Sequence, residues 1–226
     1  MDVFERRVLD AEERVCREIG RELRAPLSGI SSAAQLLRFR AREDPVVERN
    51  VGRILREVER LRALADELLE YGRHRPLALA PGDPDAIWDA VLHTHRGLIE
   101  SRSLAVRRLR AAPPARCTLD DSEVRELFST LLTHAADAAP PCTELTLASV
   151  RLADGAWRCT LHDGGAAIPA DILPHAFEML SSARSGGARG RLALCRRIVE
   201  EHGGVIGIES EPERGTTLSV TLPGSV

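Results

Sequence analysis

The side chains able to carry chemistry in this 226-residue chain are seven histidines, five cysteines, a serine-rich stretch and several glycine-rich segments bearing a carboxylate or an arginine. All 31 basic residues are arginine. With no lysine there is no Schiff-base chemistry, no amine general base and no phosphate-binding P-loop lysine. Cys16, Cys117, Cys142, Cys159 and Cys195 are scattered without a C-x-x-C pair, which argues against a zinc site and a disulfide framework. His93 and His95 flank Thr94 in a helical pattern, and positions i and i+2 point to different faces, so they share no metal. Ser28, Ser31 and Ser32 carry hydroxyls but no neighbouring base to activate them. His202 precedes Gly203 and Gly204 at an expected helix end, where a cation complements the helix dipole. Trp88 and Trp157 read as core or interface residues, because aromatic side chains make up only 3% of the chain and form no stacking platform.

The elements that must position these groups fall into two halves. Val47, Val51, Ile54, Val58, Leu61, Ala65 and Leu68 recur at alternating spacings of four and three, a heptad stripe, and Ile19, Leu23, Leu27, Ile30, Ala34 and Leu37 repeat it less strictly upstream. Arg42 to Pro45 break the two stripes, and Pro45 suits a first helical turn. Residues 1–72 are therefore expected to form a helical hairpin. A lone hairpin buries too little, so two copies would complete a four-helix bundle and make a homodimer; packing on the chain's own second half is the alternative. Residues 73–85 lie in a stretch rich in proline and glycine and are expected to be a linker before a second domain at 86–226. That domain shows helical patterns at 84–101, 122–138 and 192–202. Extended runs lie at 104–109, 117–119, 144–150, 157–161, 205–210 and 217–222. Consecutive strands near the end predict hairpins, and the fold class is α+β: a helical hairpin followed by an α/β sandwich with helices on one face of a mixed sheet. The net charge of −3, with neither half strongly basic, excludes a nucleic-acid partner. No apolar run is long enough to span a membrane and the N-terminus lacks a signal core, so the expected location is cytoplasmic.

Five segments, in order, resemble the transmitter region of bacterial two-component histidine kinases. Gly20-Arg21-Glu22-Leu23-Arg24-Ala25-Pro26-Leu27 is similar to the family's phosphoacceptor box, S-H-E-L-R-T-P-L. Thr130-Leu131-Leu132-Thr133-His134-Ala135-Ala136-Asp137-Ala138-Ala139-Pro140 is similar to N-L-L-x-N-A-x-K-x-T-P. Asp163-Gly164-Gly165-Ala166-Ala167-Ile168-Pro169 is similar to D-N-G-P-G-I-P, and Leu173 to Glu178 to the phenylalanine segment after it. Arg189-Gly190-Arg191-Leu192 through His202-Gly203-Gly204 resembles the second glycine box, and Glu209 through Thr217 the closing E-S-x-P-x-x-G-T-T. The resemblance implies a dimerising hairpin that docks a response-regulator receiver domain, followed by an ATP-binding domain of the histidine-kinase type.

The departures bear on the chemistry. In the family, an imidazole at the position of Arg21 takes the γ-phosphate of ATP. A guanidinium has no acceptor lone pair and stays protonated, so it cannot be a nucleophile, and no histidine precedes His74. Glu22 is kept without an imidazole to serve, and Ala25 replaces the polar residue linked to the family's phosphatase activity. Arg21 and Glu22 are either a binding site or ordinary polar-face residues; with Ile19 and Leu23 expected to point inward, Arg21, Arg24, Ala25 and Leu27 are the candidate docking residues. For the nucleotide, the resemblance implies that Asp163 accepts from the adenine amino group, that Gly165 allows close backbone approach and that Thr216 bridges to adenine through water. His134 replaces the asparagine that orients Mg²⁺, and Asp137 replaces a basic residue near the phosphates, so ATP or ADP is expected while Mg²⁺ is disfavoured. Gly187 and Gly190 keep the lid loop flexible, and Arg189 and Arg191, beside Leu192, replace glycines yet offer forks for phosphate. Asp163 and its glycines making only a tight turn is the alternative. The expected function is a signalling protein that docks a receiver without a phosphoacceptor histidine; an active kinase with an unusual acceptor, or one acting in trans, and an anti-sigma-type serine kinase are its rivals.

Overall fold

A computed structural model describes residues 3–40, 44–72, 76–178 and 192–225. The chain divides into two compact units, Met1–Arg75 and Pro76–Val226.

The first unit is a helical hairpin of α1 (Val3–Arg40) and α2 (Pro45–Tyr71). Asp44 caps α2, its Oδ1 accepting from the Val46 and Val47 amides at 2.8 and 3.3 Å, with Pro45 in the first turn where a missing N–H costs nothing. The seam buries Cys16, Leu27, Ser31 and Ala34 of α1 against Val51, Val58, Ala65 and Leu68 of α2. Gly20 brings the helices close: a Cβ there would lie 2.8 Å from both the Ala65 carbonyl oxygen and Leu69 Cγ. The heptad stripe is covered only in part. Ile19, Ile30 and Leu37 of α1 and Ile54 and Leu61 of α2 stay 41–53% exposed. Ile19 thus faces outward, contrary to the inward orientation expected from spacing, because a two-helix seam is narrower than the stripe.

The second unit is an α/β sandwich. Its main sheet, in the order β2-β4-β5-β7-β6, comprises β2 (Ala105–Leu109), β4 (Glu144–Arg151), β5 (Trp157–Asp163), β6 (Val205–Glu211) and β7 (Gly215–Leu222). β2 and β4 run parallel and every other pair is antiparallel, with β4-β5 and β6-β7 forming hairpins. Strict alternation along β5 and β7 sends Trp157, Cys159, Leu161, Leu218, Val220 and Leu222 into the core. There they meet α3 (Pro84–Thr94), α5 (Asp121–Ala138) and α6 (Leu192–Glu201). Trp88 stacks on Phe128 at 4.3 Å between ring centroids, and Phe128 meets Trp157 at 5.7 Å, so both tryptophans are core residues. Asp85 of α3 is buried and accepts from Arg108 of β2 and from Ser149 of β4, fastening α3 to the sheet.

Two segments differ from expectation. The helical pattern at 84–101 is broken at His95 into α3 and a short α4 (Arg96–Ser101). Within the stretch read as linker, Ala80–Gly82 form β1, paired antiparallel with β3 (Cys117–Leu119), and Pro84 already opens α3. Asp120 closes this corner. Its Oδ1 accepts from the Ser122 and Glu123 amides at 3.0 and 3.2 Å, capping α5, while Oδ2 accepts from the Ala78 amide at 2.8 Å. The Asp120 amide donates to His202 Nε2 at 3.0 Å, and His202 Nδ1 lies 2.7 Å from the Ile198 carbonyl oxygen. One ring nitrogen must accept and the other donate, so His202 is a neutral imidazole, not the cation its place at the helix end suggested.

Candidate functional site

On the hairpin, Arg21 and Glu22 stand exposed on α1, one turn before Pro26, which lies inside the helix and offers no N–H to the Glu22 carbonyl. With Arg14, Arg17 and Glu18 they line a depression of about 400 Å³. Among the described residues no ion pair engages Arg14, Arg17 or Arg21. Arg24, by contrast, reaches across to α2, where its Nη2 lies 2.5 Å from Asp66 Oδ1. Ala25 is exposed, but Leu27 is buried in the seam and supports the surface instead of presenting it. The Ser32 hydroxyl donates to the Ser28 carbonyl at 3.0 Å, a bond within the helix, and Ser31 is buried. Nothing at this locus has a nucleophilic nitrogen.

In the second unit, Asp163 ends β5 fully buried. Its Oδ1 accepts from the Gly165 amide at 2.9 Å, and its Oδ2 is buried with no partner among the described residues. Burial pushes the carboxyl up from its ordinary value, although the Gly165 N–H and nearby His162 draw it back. An orphaned buried acceptor on a rigid strand end is costly to leave unmade and suits a ligand that brings its own N–H. Thr216 lies beside it in register on β7 and shares a hydrogen bond of 2.9 Å with Ser210, whose hydroxyl also accepts from the Ile168 amide at 2.8 Å. Gly215 adopts φ +81°, and a Cβ there would sit 2.0 Å from the Asp163 carbonyl oxygen, so only glycine lets β7 pass this close. At Gly165 the crowding comes from the protein itself: a Cβ would lie 2.3 Å from the Ala138 carbonyl at the end of α5. That contact places the C-terminal turn of α5 against the Asp163 loop.

His134 is buried on α5, and Asp137, one turn on, is at the surface with Oδ1 2.6 Å from Arg102 Nη2. These donors do not fit Mg²⁺: an imidazole stands where an oxygen ligand is needed, and the nearby carboxylate is engaged by a guanidinium. Among the described residues no cluster of three or more potential metal ligands occurs. Leu192 opens α6 with its side chain in the domain core. Gly187, Arg189, Gly190 and Arg191 lie outside the described residues. Ser210, Gly215 and Arg102 were missed in the sequence; the first two stand in the closing box, whereas Arg102 belongs to no box.

Fold and site together define an α/β sandwich whose sheet ends in a buried, half-satisfied carboxylate, preceded in the chain by a helical hairpin. Comparison with known proteins agrees. Residues 12–76 match the family described as His Kinase A (phospho-acceptor) domain, and residues 119–226 match Histidine kinase-, DNA gyrase B-, and HSP90-like ATPase. The chain belongs to the two-component histidine kinases, as a transmitter region. It is 31% identical over 226 residues to the sensory histidine kinase/phosphatase NtrB of Azospirillum brasilense, covering 91% of this chain and 54% of that protein. It thus spans just over half the length of the curated relatives it matches. Among solved structures, the histidine kinase ThkA in complex with the response regulator protein TrrA gives a TM-score of 0.69 at 19% identity, covering 97% of this chain and 64% of that one. Full-length ShkA in complex with AMPPNP gives 0.67 at 19% identity, covering 94% and 46%. No helix among the described residues is long and apolar enough to cross a membrane.

Proposed function

We propose that this chain is a pseudokinase of two-component signalling: a homodimer whose hairpin docks a response-regulator receiver domain and whose second domain binds ATP or ADP without passing phosphate to its own hairpin. The observation that carries the proposal is Arg21, an exposed, permanently charged guanidinium in a phosphoacceptor box that otherwise keeps Glu22, Leu23, Arg24, Pro26 and Leu27. A receiver's phosphorylation pocket is acidic, and unpaired guanidiniums on the opposing helix supply complementary charge. The orphaned Asp163 Oδ2 supports the nucleotide half of the proposal, as does the AMPPNP held by the structurally similar ShkA. The kinase–regulator complex of ThkA supports the docking half. The test is a binding assay of the purified chain against each receiver domain of its source organism. The expected result is one receiver bound, with affinity reduced at least tenfold by Arg21→Glu, about the loss for a charge-assisted contact replaced by repulsion. Binding to no receiver overturns the docking half.

A further inference from the structure

We propose that Arg102, on the turn closing α4, is the cation that meets the phosphates of an adenine nucleotide seated at Asp163, replacing in charge what Asp137 reverses. This rests on the nucleotide reading above. The groups concerned follow one another along a continuous track. Asp163 holds Gly165, Gly165 presses on the Ala138 carbonyl at the end of α5, and Asp137, the residue before, receives Arg102 Nη2 at 2.6 Å. An unpaired carboxylate at Asp137 would repel a polyphosphate. Paired, it is neutralised and becomes a bracket that aims the guanidinium.

The guanidinium is free to bind further. Arg102 keeps 47% of its side-chain surface exposed, so its remaining N–H donors are open to a second oxyanion, and a planar fork bonds phosphate in the bidentate manner an ammonium cannot. Its backbone is held in place. Ser103 in the left-handed region, φ +53°, ends α4, with the Ser103 amide on the Glu100 carbonyl and the Leu104 amide on the Ile99 carbonyl, each at 3.0 Å. Two neighbouring arginines of β2 and its end are committed elsewhere, Arg108 to Asp85 and Arg110 to Asp89.

The ligand class is therefore an adenine nucleoside di- or triphosphate, recognised by Asp163 at the base and by Arg102 at the phosphates. Calorimetric titration of the full chain with adenosine, ADP and ATP tests this. Arg102→Ala is expected to lower ADP and ATP affinity about tenfold, the scale of one charge-assisted hydrogen-bonded contact, and to leave adenosine affinity unchanged. Asp137→Asn added to Arg102→Ala should restore part of the loss, because it removes the carboxylate that Arg102→Ala leaves unpaired. Retained adenosine binding shows that each variant is folded. If Arg102→Ala binds ADP as tightly as the wild type while Asp163→Ala does not bind it, the proposal falls and the nucleotide reading stands. If neither adenosine nor nucleotide binds the wild type, both fall.

Discussion

At Asp163 one carboxylate is asked to be buried, charged and half unsatisfied at once. Its raised pKa means that the folded chain holds the proton more tightly than the unfolded chain, so the group favours folding below its unfolded pKa and this contribution is lost as pH rises through the folded value. At neutral pH the ionised group is a net cost awaiting a donor. Asp163→Asn keeps the acceptor for Gly165 and removes the charge. In thermal unfolding at pH 7 it should gain about 1 kcal/mol without ligand. In calorimetry it should lose adenine-nucleotide affinity on the order of tenfold or more, and wild-type affinity should decline as pH falls and Asp163 protonates. An Asp163→Asn protein both less stable and equally good at binding would refute this account of the carboxylate. The residue types at this site were legible in the sequence, because Asp163, Gly165 and Thr216 stand in recognisable boxes. What was not legible is that Gly165 packs against the Ala138 carbonyl, or that Arg102 pairs with Asp137: both are contacts between segments far apart in the chain.

Among the elements, those with strong periodicity matched their expected spans to within a few residues. α5 and the β4-β5 and β6-β7 hairpins are set by repeating burial along one element. β1 was missed because proline and glycine in Ala80–Gly82 disfavour a strand, and only pairing with β3 and the Asp120 clamp on Ala78 make one. His202 was misread as a cation for the same reason: its acceptor role is dictated by an amide 82 positions away. The break after α3 left no glycine or proline at His95 to announce it. At the end of α4, Ser103 carries a left-handed backbone that glycine adopts without strain. Ser103→Gly is expected to raise stability by about 0.5–1 kcal/mol in denaturant unfolding, with the slope unchanged. A loss of stability would mean that the serine side chain holds the turn.

Over the whole molecule, the hairpin leaves part of its apolar stripe uncovered, with Ile54 and Leu61 each more than 40% exposed. A second hairpin would cover them, as in a four-helix bundle. Sedimentation velocity should therefore show a dimer that Ile54→Arg/Leu61→Arg converts to a monomer with its helical content kept; a dimer that survives the change would place the interface elsewhere. The claim on which the account turns is that this transmitter region cannot phosphorylate itself on its hairpin. Incubation of the purified chain with γ-labelled ATP and Mg²⁺, followed by acid and alkali treatment, measures it directly. The account predicts no label retained on the chain, and acid-labile, alkali-stable phosphate on this polypeptide would contradict it.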